Sequence, residues 1–216
     1  MPQIALVSIT LNAVNPIVDY FHKHAPQWKI MNYLDSNLTS RIHQDGGVRP
    51  SSMGRMFDML SHAAEDGADV ILITCTVFSA YADDFSRLLG IPVVSPDRSM
   101  LRAVAEQDGK AAILYTFSGT LENTRKLYYE CRRSAGRREA VDMILVPGAY
   151  DAISRGDVEA HNQLIQAKVM ALDPIYDHIV LAQISMANAA NGLMLHHAKL
   201  YTSPDSVYHT LLDILK

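Results

Sequence analysis

The sequence is poor in cysteine. Only two cysteines, Cys75 and Cys131, occur in 216 residues, which is too few for the disulfide framework of a small secreted protein. The low count favours a cytoplasmic protein, in which thiols stay reduced. The nine histidines show no H-E-x-x-H motif and no zinc-site spacing, so no metal site is predicted.

Long apolar runs and blocks of like charge are also missing. The charge-free run around Cys75, residues 70 to 82, is too short to cross a bilayer and contains polar side chains. The N-terminus has no basic segment of the kind that begins a signal peptide. The 19 basic and 23 acidic residues give a net charge of -4, and the most basic stretch, residues 131 to 138, is typical of a solvated turn. We therefore expect neither a membrane nor a nucleic acid as partner.

Motifs for common cofactors and for serine hydrolysis are absent as well. No G-x-G-x-x-G follows the first apolar run, no P-loop lysine is present, and no G-x-S-x-G elbow occurs. These absences disfavour dinucleotide chemistry and serine hydrolysis.

What the sequence does contain is a regular alternation of short apolar runs and longer helix-like segments. Such alternation is typical of parallel β-sheets covered by helices on both faces. The predicted strands are residues 4–9, 30–34, 70–74, 92–94, 111–117, 143–146, 179–182 and 199–202. The predicted helices are residues 15–24, 53–65, 83–89, 99–107, 120–133, 157–172 and 205–215.

The two halves of the chain correspond at an offset of 108 residues. Asp69 and Asp177 each precede an apolar run, and the tripeptide Ser-Pro-Asp occurs at 95–97 and again at 203–205. Repetition at one offset indicates a duplicated unit. We therefore predict an α/β fold of two pseudo-symmetric lobes, residues 1–98 and 99–204, with the helix at 205–216 packing back onto the first.

The predicted site follows from this fold. Parallel α/β sheets bind ligands at the carboxyl ends of their strands, where loops and helix N-termini meet, and two related lobes are expected to form a cleft there. The segments at these ends are rich in hydroxyls and amides and poor in charge, which suits a small carboxylate. The predicted substrate-binding residues are Ser8, Thr10, Asn12, Thr76, Thr116, Ser118, Thr120 and Gln183.

Cys75 stands where a buried strand is predicted to end and a helix to begin. The positive end of a helix dipole lowers the pKa of a thiol. The resulting thiolate can remove a proton from carbon or attack an electrophile. The alternative is that Cys75 is a small hydrophobic core residue, which is the commoner role of cysteine. Position alone leaves both interpretations open.

Five short motifs, spread over nearly the whole chain, add to this interpretation. They are "ILITCTVFS" around Cys75, "TFSGT" from Thr116 to Thr120, "VPGAYDAISRGD", the "SPD" tripeptide and "LAQISMA". Together they resemble the aspartate/glutamate/hydantoin racemase superfamily. The resemblance implies a cofactor-independent enzyme of two pseudo-symmetric lobes, with Cys75 as a catalytic cysteine. It also implies that the loop from Thr116 to Thr120 binds the substrate carboxylate.

The second lobe departs from that pattern. The superfamily usually has a second cysteine there, whereas this chain has Gln183, 108 residues after Cys75. A carboxamide donates and accepts hydrogen bonds but does not exchange a proton usefully at neutral pH. Ser185 is then the remaining candidate catalytic residue of this lobe, and the chain resembles a branch with one cysteine, in the first lobe.

Three reactions are open to a single thiol. Cys75 could be the sole acid/base of a racemase, with Ser185 or water completing the second proton transfer. It could protonate an enediolate left by decarboxylation, as in single-cysteine lyases of the superfamily, although their cysteine lies in the second lobe. It could also add to an unsaturated diacid and release the rotated isomer, as maleate isomerases do.

We therefore expect a racemase- or isomerase-type enzyme that acts on a small carboxylate (an amino acid, a hydantoin or a diacid), with Cys75 and Ser185 as catalytic residues. A single-cysteine decarboxylase or lyase and a non-catalytic binding protein are the alternatives. A homodimer is compatible with the resemblance, because dimers are common among such proteins.

Overall fold

The strands form two four-stranded parallel sheets in the computed structural model, which describes residues 1–137 and 140–216. The first sheet contains β1 (Gln3–Ser8), β2 (Lys29–Leu34), β3 (Val70–Ile73) and β4 (Val93–Val94). The second contains β5 (Ala111–Tyr115), β6 (Asp142–Leu145), β7 (His178–Leu181) and β8 (Lys199–Thr202). The strand orders are β2-β1-β3-β4 and β6-β5-β7-β8. The predicted α/β fold of two similar lobes is confirmed.

Helices connect the strands. The α-helices of the described residues are α1 (Asn15–His24), α2 (Ser36–Gln44), α3 (Pro50–Glu65), α4 (Ala82–Leu89), α5 (Pro96–Ala105), α6 (Leu121–Ser134), α7 (Ala149–Ser154), α8 (Val158–Leu172) and α9 (Ser203–Ile214). Short 3-10 helices follow β1, β3, β5 and β7, at Leu11–Ala13, Thr76–Tyr81, Ser118–Thr120 and Ile184–Ala190. No helix within 1–137 and 140–216 is long and apolar enough to cross a membrane.

The chain divides into two compact units. One comprises Met1–Pro96 and Val207–Lys216, and the other comprises Asp97–Ser206. Within the first unit the C-terminal part of α9 packs beside α1. The hydroxyl of Tyr208 donates to the carbonyl of His24 at 3.3 Å, and its ring centre lies 5.5 Å from that of Trp28.

The central strands are buried on both faces, which explains why they read as continuous apolar runs. In the first sheet, Ala5 and Val7 belong to a core cluster with residues of α2, α3 and α4, and the alternate residue Leu6 is also fully buried. In the second sheet, Ile113 and Leu114 belong to two different core clusters.

The repeated aspartates have a structural role. Asp69 Oδ2 accepts the backbone N–H of Gln3, and Asp177 Oδ2 accepts that of Lys110, each at 2.7 Å. The bond from Lys110 is the main reason why the pKa of Asp177 lies below its usual value. Each aspartate thus ties the start of the third strand of its sheet to the start of the first.

The hydrogen-bond register shows that one sequence offset does not describe the whole repeat. Ile4 pairs with Val70 in the first sheet, whereas Ala111 pairs with His178 in the second. Val70 and His178 are 108 residues apart, but Ile4 and Ala111 are 107 apart. The predicted offset is therefore wrong by one residue for the first strands, and one residue moves a side chain to the other face of a strand.

The sequence patterns do not predict α2 or α7. In α2 only Leu38 and Ile42 are buried, so the apolar stripe is a single i, i+4 pair and gives almost no helical periodicity. The helix α7 has only six residues, which is less than two turns.

Asp173, the residue after α8, holds the segment that leads to β8. Its carboxylate accepts the backbone N–H groups of His196, His197 and Ala198 at 2.9, 3.1 and 2.7 Å. These backbone hydrogen bonds lower the pKa of Asp173. The ionised carboxylate therefore stabilises the fold above the pKa of an unfolded aspartate, about 3.9, and this contribution is lost as the pH falls through the lower pKa of the folded state.

We expect Asp173→Asn to lower the thermal unfolding midpoint at about pH 7, because an amide replaces one of the accepting oxygens. We also expect a smaller fall of the midpoint between about pH 5 and pH 3 than in the original protein, since the titrating group is gone. Circular dichroism during heating measures both quantities. Asp58→Asn, at an exposed position of α3, is the control, and identical pH profiles for the two variants would contradict the role of Asp173.

Candidate active site

Cys75 lies two residues after the end of β3. It occupies the N-cap position of the 3-10 helix that begins at Thr76. Its backbone is extended, with φ -107° and ψ 119°, so the chain turns from strand to helix immediately after it. The side chain is half-buried and packs against the core cluster that contains Ile71 and Ile73. Cys75 therefore lies at the carboxyl end of a central strand, at the position that precedes the first turn of a 3-10 helix.

Two buried serines hold the turn that carries the thiol. The carbonyl of Cys75 accepts the N–H of Phe78 at 3.1 Å and the hydroxyl of Ser79 at 3.3 Å. Ser79 accepts in turn from the hydroxyl of Ser95 at 2.7 Å. Because Ser95 directly follows β4, the ends of two strands fix the backbone at Cys75. The sequence does not predict this role, and the repeated Ser-Pro-Asp tripeptide is its only signal there.

Ser8 ends β1 at the same edge of the sheet. Its neighbours Val7 and Ile9 belong to the cluster that Cys75 contacts, so the alternation of a strand directs Ser8 to the opposite face. Its hydroxyl accepts from Thr74 Oγ1 at 2.8 Å, and both residues are buried.

The other predicted residues of the first lobe lie just beyond the strand ends. Thr10 precedes the 3-10 helix that contains the exposed Asn12, and Thr76 is the half-buried first residue of the helix after Cys75. At this edge the carboxylate of Asp35, before α2, forms an ion pair with Arg55 of α3 at 2.5 Å.

In the second lobe Thr116 and Gln183 pair where β5 and β7 end. Gln183 Oε1 accepts both the backbone N–H of Thr116, at 2.8 Å, and its hydroxyl, at 2.6 Å. Because a backbone N–H can only donate, these bonds fix which end of the carboxamide is the oxygen. The amide NH₂ group, with its two donors, is therefore directed away from Thr116. Gln183 corresponds to Cys75 at offset 108, whereas Thr116 corresponds to Ile9 at offset 107.

The remaining predicted residues of this lobe lie in the two short helices after β5 and β7. Ser118 is exposed, and Thr120 Oγ1 donates to the carbonyl of Phe117 at 2.9 Å. Ser185 is half-buried in the helix that begins after Gln183.

His161 of α8 is a fully buried residue that the sequence analysis did not single out. Its Nδ1 lies 2.9 Å from the carbonyl oxygen of Ala149, and its Nε2 lies 3.3 Å from that of Ser185. The imidazole thus links the start of α7 to the helix after Gln183. A lone histidine in a helical pattern gives no sign of such a link.

Cys131 lies in the core of the second lobe, within α6. Burial raises the pKa of its thiol, so the thiol stays protonated. The next residue, Arg132, is also buried, and its guanidinium donates to the carbonyls of Ala105 and Gln107, each at 2.7 Å. The prediction of a solvated turn is therefore wrong at this position, because the guanidinium caps backbone carbonyls inside the lobe. Arg138 lies outside the described residues.

The two sheets thus differ in the group that follows the third strand, a thiol in the first and a fixed carboxamide in the second. Elsewhere at these edges the predicted site residues are neutral hydroxyls and amides. Within residues 1–137 and 140–216, no three histidine, cysteine, aspartate or glutamate side chains are grouped so as to hold a metal ion.

Comparison with known proteins addresses the fold. Neither a protein-family model nor a curated protein sequence matches the chain, but solved structures do. Aspartate racemase from Picrophilus torridus is 12% identical and matches over 99% of this chain and 94% of that chain, with a TM-score of 0.72. Allantoin racemase from Klebsiella pneumoniae is 13% identical, over 100% of this chain and 88% of that one, with a TM-score of 0.69. The chain has the racemase fold.

A third structure with this racemase fold is the glutamate racemase from Francisella tularensis in complex with D-glutamate. It is 15% identical, covers 99% of this chain and 80% of that chain, and has a TM-score of 0.69. The resemblance that the sequence motifs indicated is confirmed at the level of the fold. At such low identity the chemistry has to be argued from the residues of this chain.

Proposed function

We propose that the protein is a cofactor-independent isomerase of the racemase type that moves the α-proton of a small carboxylate. The observation that carries the proposal is the position of Cys75, a half-buried thiol between a central strand and the start of a helix. The racemase fold supports it, because the proteins compared above are named as racemases of aspartate, glutamate and allantoin.

In the proposed mechanism Cys75 acts first as a base. Its thiolate removes the α-proton, and the electron pair of the broken C–H bond moves into the carboxylate to give an enediolate. The N–H groups at the start of the following helix stabilise the thiolate. Preorganised hydrogen-bond donors near the enediolate oxygens stabilise the negative charge that develops there.

Gln183 is the proposed donor from the second lobe. Its NH₂ group would bind a carboxylate oxygen, while Thr116 holds its Oε1. The further proposed substrate contacts are Thr10, Asn12, Thr76, Ser118 and Thr120. Ser8 and Thr116, whose hydroxyls already bond within their lobes, are proposed as positioning residues.

Cys75 then acts as the acid and returns the proton to carbon. A single thiol delivers the proton to the face from which it removed it, so inversion requires a second group. We assign this step to Ser185 or to a bound water molecule, because Gln183 does not release a proton. Exchange of the α-proton with solvent is therefore expected to be faster than inversion.

The experiment is to incubate the protein with small acids in heavy water. We expect deuterium to replace the α-proton of at least one amino acid, hydantoin or diacid. Proton NMR measures this replacement as the loss of the α-proton signal. Chiral chromatography with mass detection should find the label first in the starting enantiomer. Label confined to the inverted enantiomer at the earliest times would contradict a single acid/base. If no acid in the panel exchanges, the proposed activity is wrong.

A non-catalytic binding protein is the second candidate. It is favoured by the carboxamide of Gln183, which stands where a second acid/base would otherwise be. This alternative predicts that small acids bind, as seen by broadening of their NMR signals, without any α-deuterium. The lyase alternative has no support among the racemases compared above.

A further inference from the structure

Two aromatic rings stack at the edge of the second sheet, beside the Thr116–Gln183 pair. Phe117 directly follows Thr116, and Tyr150 is the second residue of α7, after β6. Their ring centres are 4.7 Å apart, and the ring planes are inclined by 25°. Because β5 and β6 are neighbouring parallel strands, their carboxyl ends lie at the same edge of the sheet. Gln183 follows β7, the other neighbour of β5, so the rings and the carboxamide lie at the same edge of this sheet.

The neighbouring residues leave room for one ring and anchor the chain before the other. A Cβ atom at Gly119 would overlap the ring of Phe117, so only glycine leaves room for the ring there. On the other side, the carbonyl of Ala149 is in contact with the buried His161. This contact holds the backbone immediately before Tyr150.

Both rings nevertheless remain open to solvent. Phe117 is 39% exposed and Tyr150 is 44% exposed, at the sheet edge that also carries the carboxamide of Gln183. A flat apolar group laid against them would gain both burial of apolar surface and aromatic stacking. Two rings are too small a patch for a protein partner, since a stable interface covers about 800 Å² on each partner.

We propose that the Phe117–Tyr150 pair is a subsite that selects acids whose α-carbon carries a flat aromatic ring. The inference rests on the proposed function, in which Gln183 binds the carboxylate. A ring pair distinguishes a flat substituent from a saturated ring of similar size, because only the flat one stacks closely. It offers nothing to a short charged side chain such as that of aspartate.

The test compares phenylglycine with cyclohexylglycine, which carry the same charged groups and rings of similar size. Binding is measured by saturation-transfer NMR, and α-deuterium exchange is measured on the same samples. We expect phenylglycine to bind about two- to tenfold more tightly than cyclohexylglycine, which is the range for one aromatic pair. The double variant Phe117→Leu/Tyr150→Leu should remove this preference. Tyr129→Leu, at an exposed tyrosine of α6, should keep it.

The two readouts separate this inference from the proposed function. A preference seen in binding without any exchange would support the ring subsite and overturn the catalytic proposal. Exchange without a binding preference for the flat ring, or a binding preference that survives in the double variant, would overturn the subsite. Gly119→Ala provides a further check, because it displaces Phe117 without deleting it and should weaken the preference.

Discussion

Replacing Cys75 by serine is expected to slow α-deuterium exchange by about 10²- to 10⁴-fold, the contribution of a positioned acid/base. The hydroxyl occupies the same place before the helix, but it stays protonated at neutral pH, so the α-proton loses its acceptor. Binding of the acid should change little, because the neutral donors remain. Initial exchange rates by proton NMR, together with the Kd of the acid, measure the two effects separately.

Cys131→Ala is the matched control, because it removes the other thiol of the chain from the core of the second lobe. We expect it to keep the exchange rate and to lower the thermal stability, since a buried side chain is shortened. An equal loss of exchange in both variants, or in neither, would mean that Cys75 is not the acid/base.

Gln183→Glu is expected to lower kcat/KM for exchange by about 10²-fold or more, which is typical for the loss of one preorganised donor. One glutamate oxygen can still accept from the N–H and hydroxyl of Thr116. The other oxygen, however, replaces the NH₂ group and repels the substrate carboxylate. The loss should therefore appear in kcat, through the lost donor, and in KM, through the repulsion, and steady-state exchange rates at several substrate concentrations separate the two.

Gln107→Glu adds the same charge to the same lobe, at an exposed position before β5, and should leave kcat/KM almost unchanged. If the two glutamate variants behave alike, the effect comes from net charge and Gln183 is not a substrate donor. Thr116→Val should give a smaller loss than Gln183→Glu, because the backbone N–H of residue 116 still holds Oε1.

The fold was largely predictable from the sequence, for physical reasons. Central parallel strands are buried on both faces and leave continuous apolar runs, and β8 and α1 have the predicted bounds. The repeat was visible because Asp69 and Asp177 perform the same task in each sheet. The one-residue difference between the first strands was not visible, because register is set by hydrogen bonds between strands.

The candidate site was less predictable. The sequence could place Cys75 and Gln183 after their strands, since strand ends are read from local patterns. It could not show that Thr116 fixes the carboxamide, because that bond joins residues 67 positions apart. Nor could it show the link made by His161 or the stacking of Phe117 on Tyr150, which depend on contacts between separate elements. The homodimer and the cytoplasmic location stay predictions.

Alkylation of the two thiols by iodoacetamide tests most directly whether Cys75 is chemically activated. Mass spectrometry of the peptides gives separate rates for Cys75 and Cys131 between about pH 6 and pH 9. Burial raises the pKa of Cys131, so this thiol is the internal reference. We predict that Cys75 is alkylated rapidly at neutral pH and that its alkylation rate increases little as the pH is raised further. A rate for Cys75 that keeps rising through about pH 8.5, as for an ordinary thiol, would contradict the account.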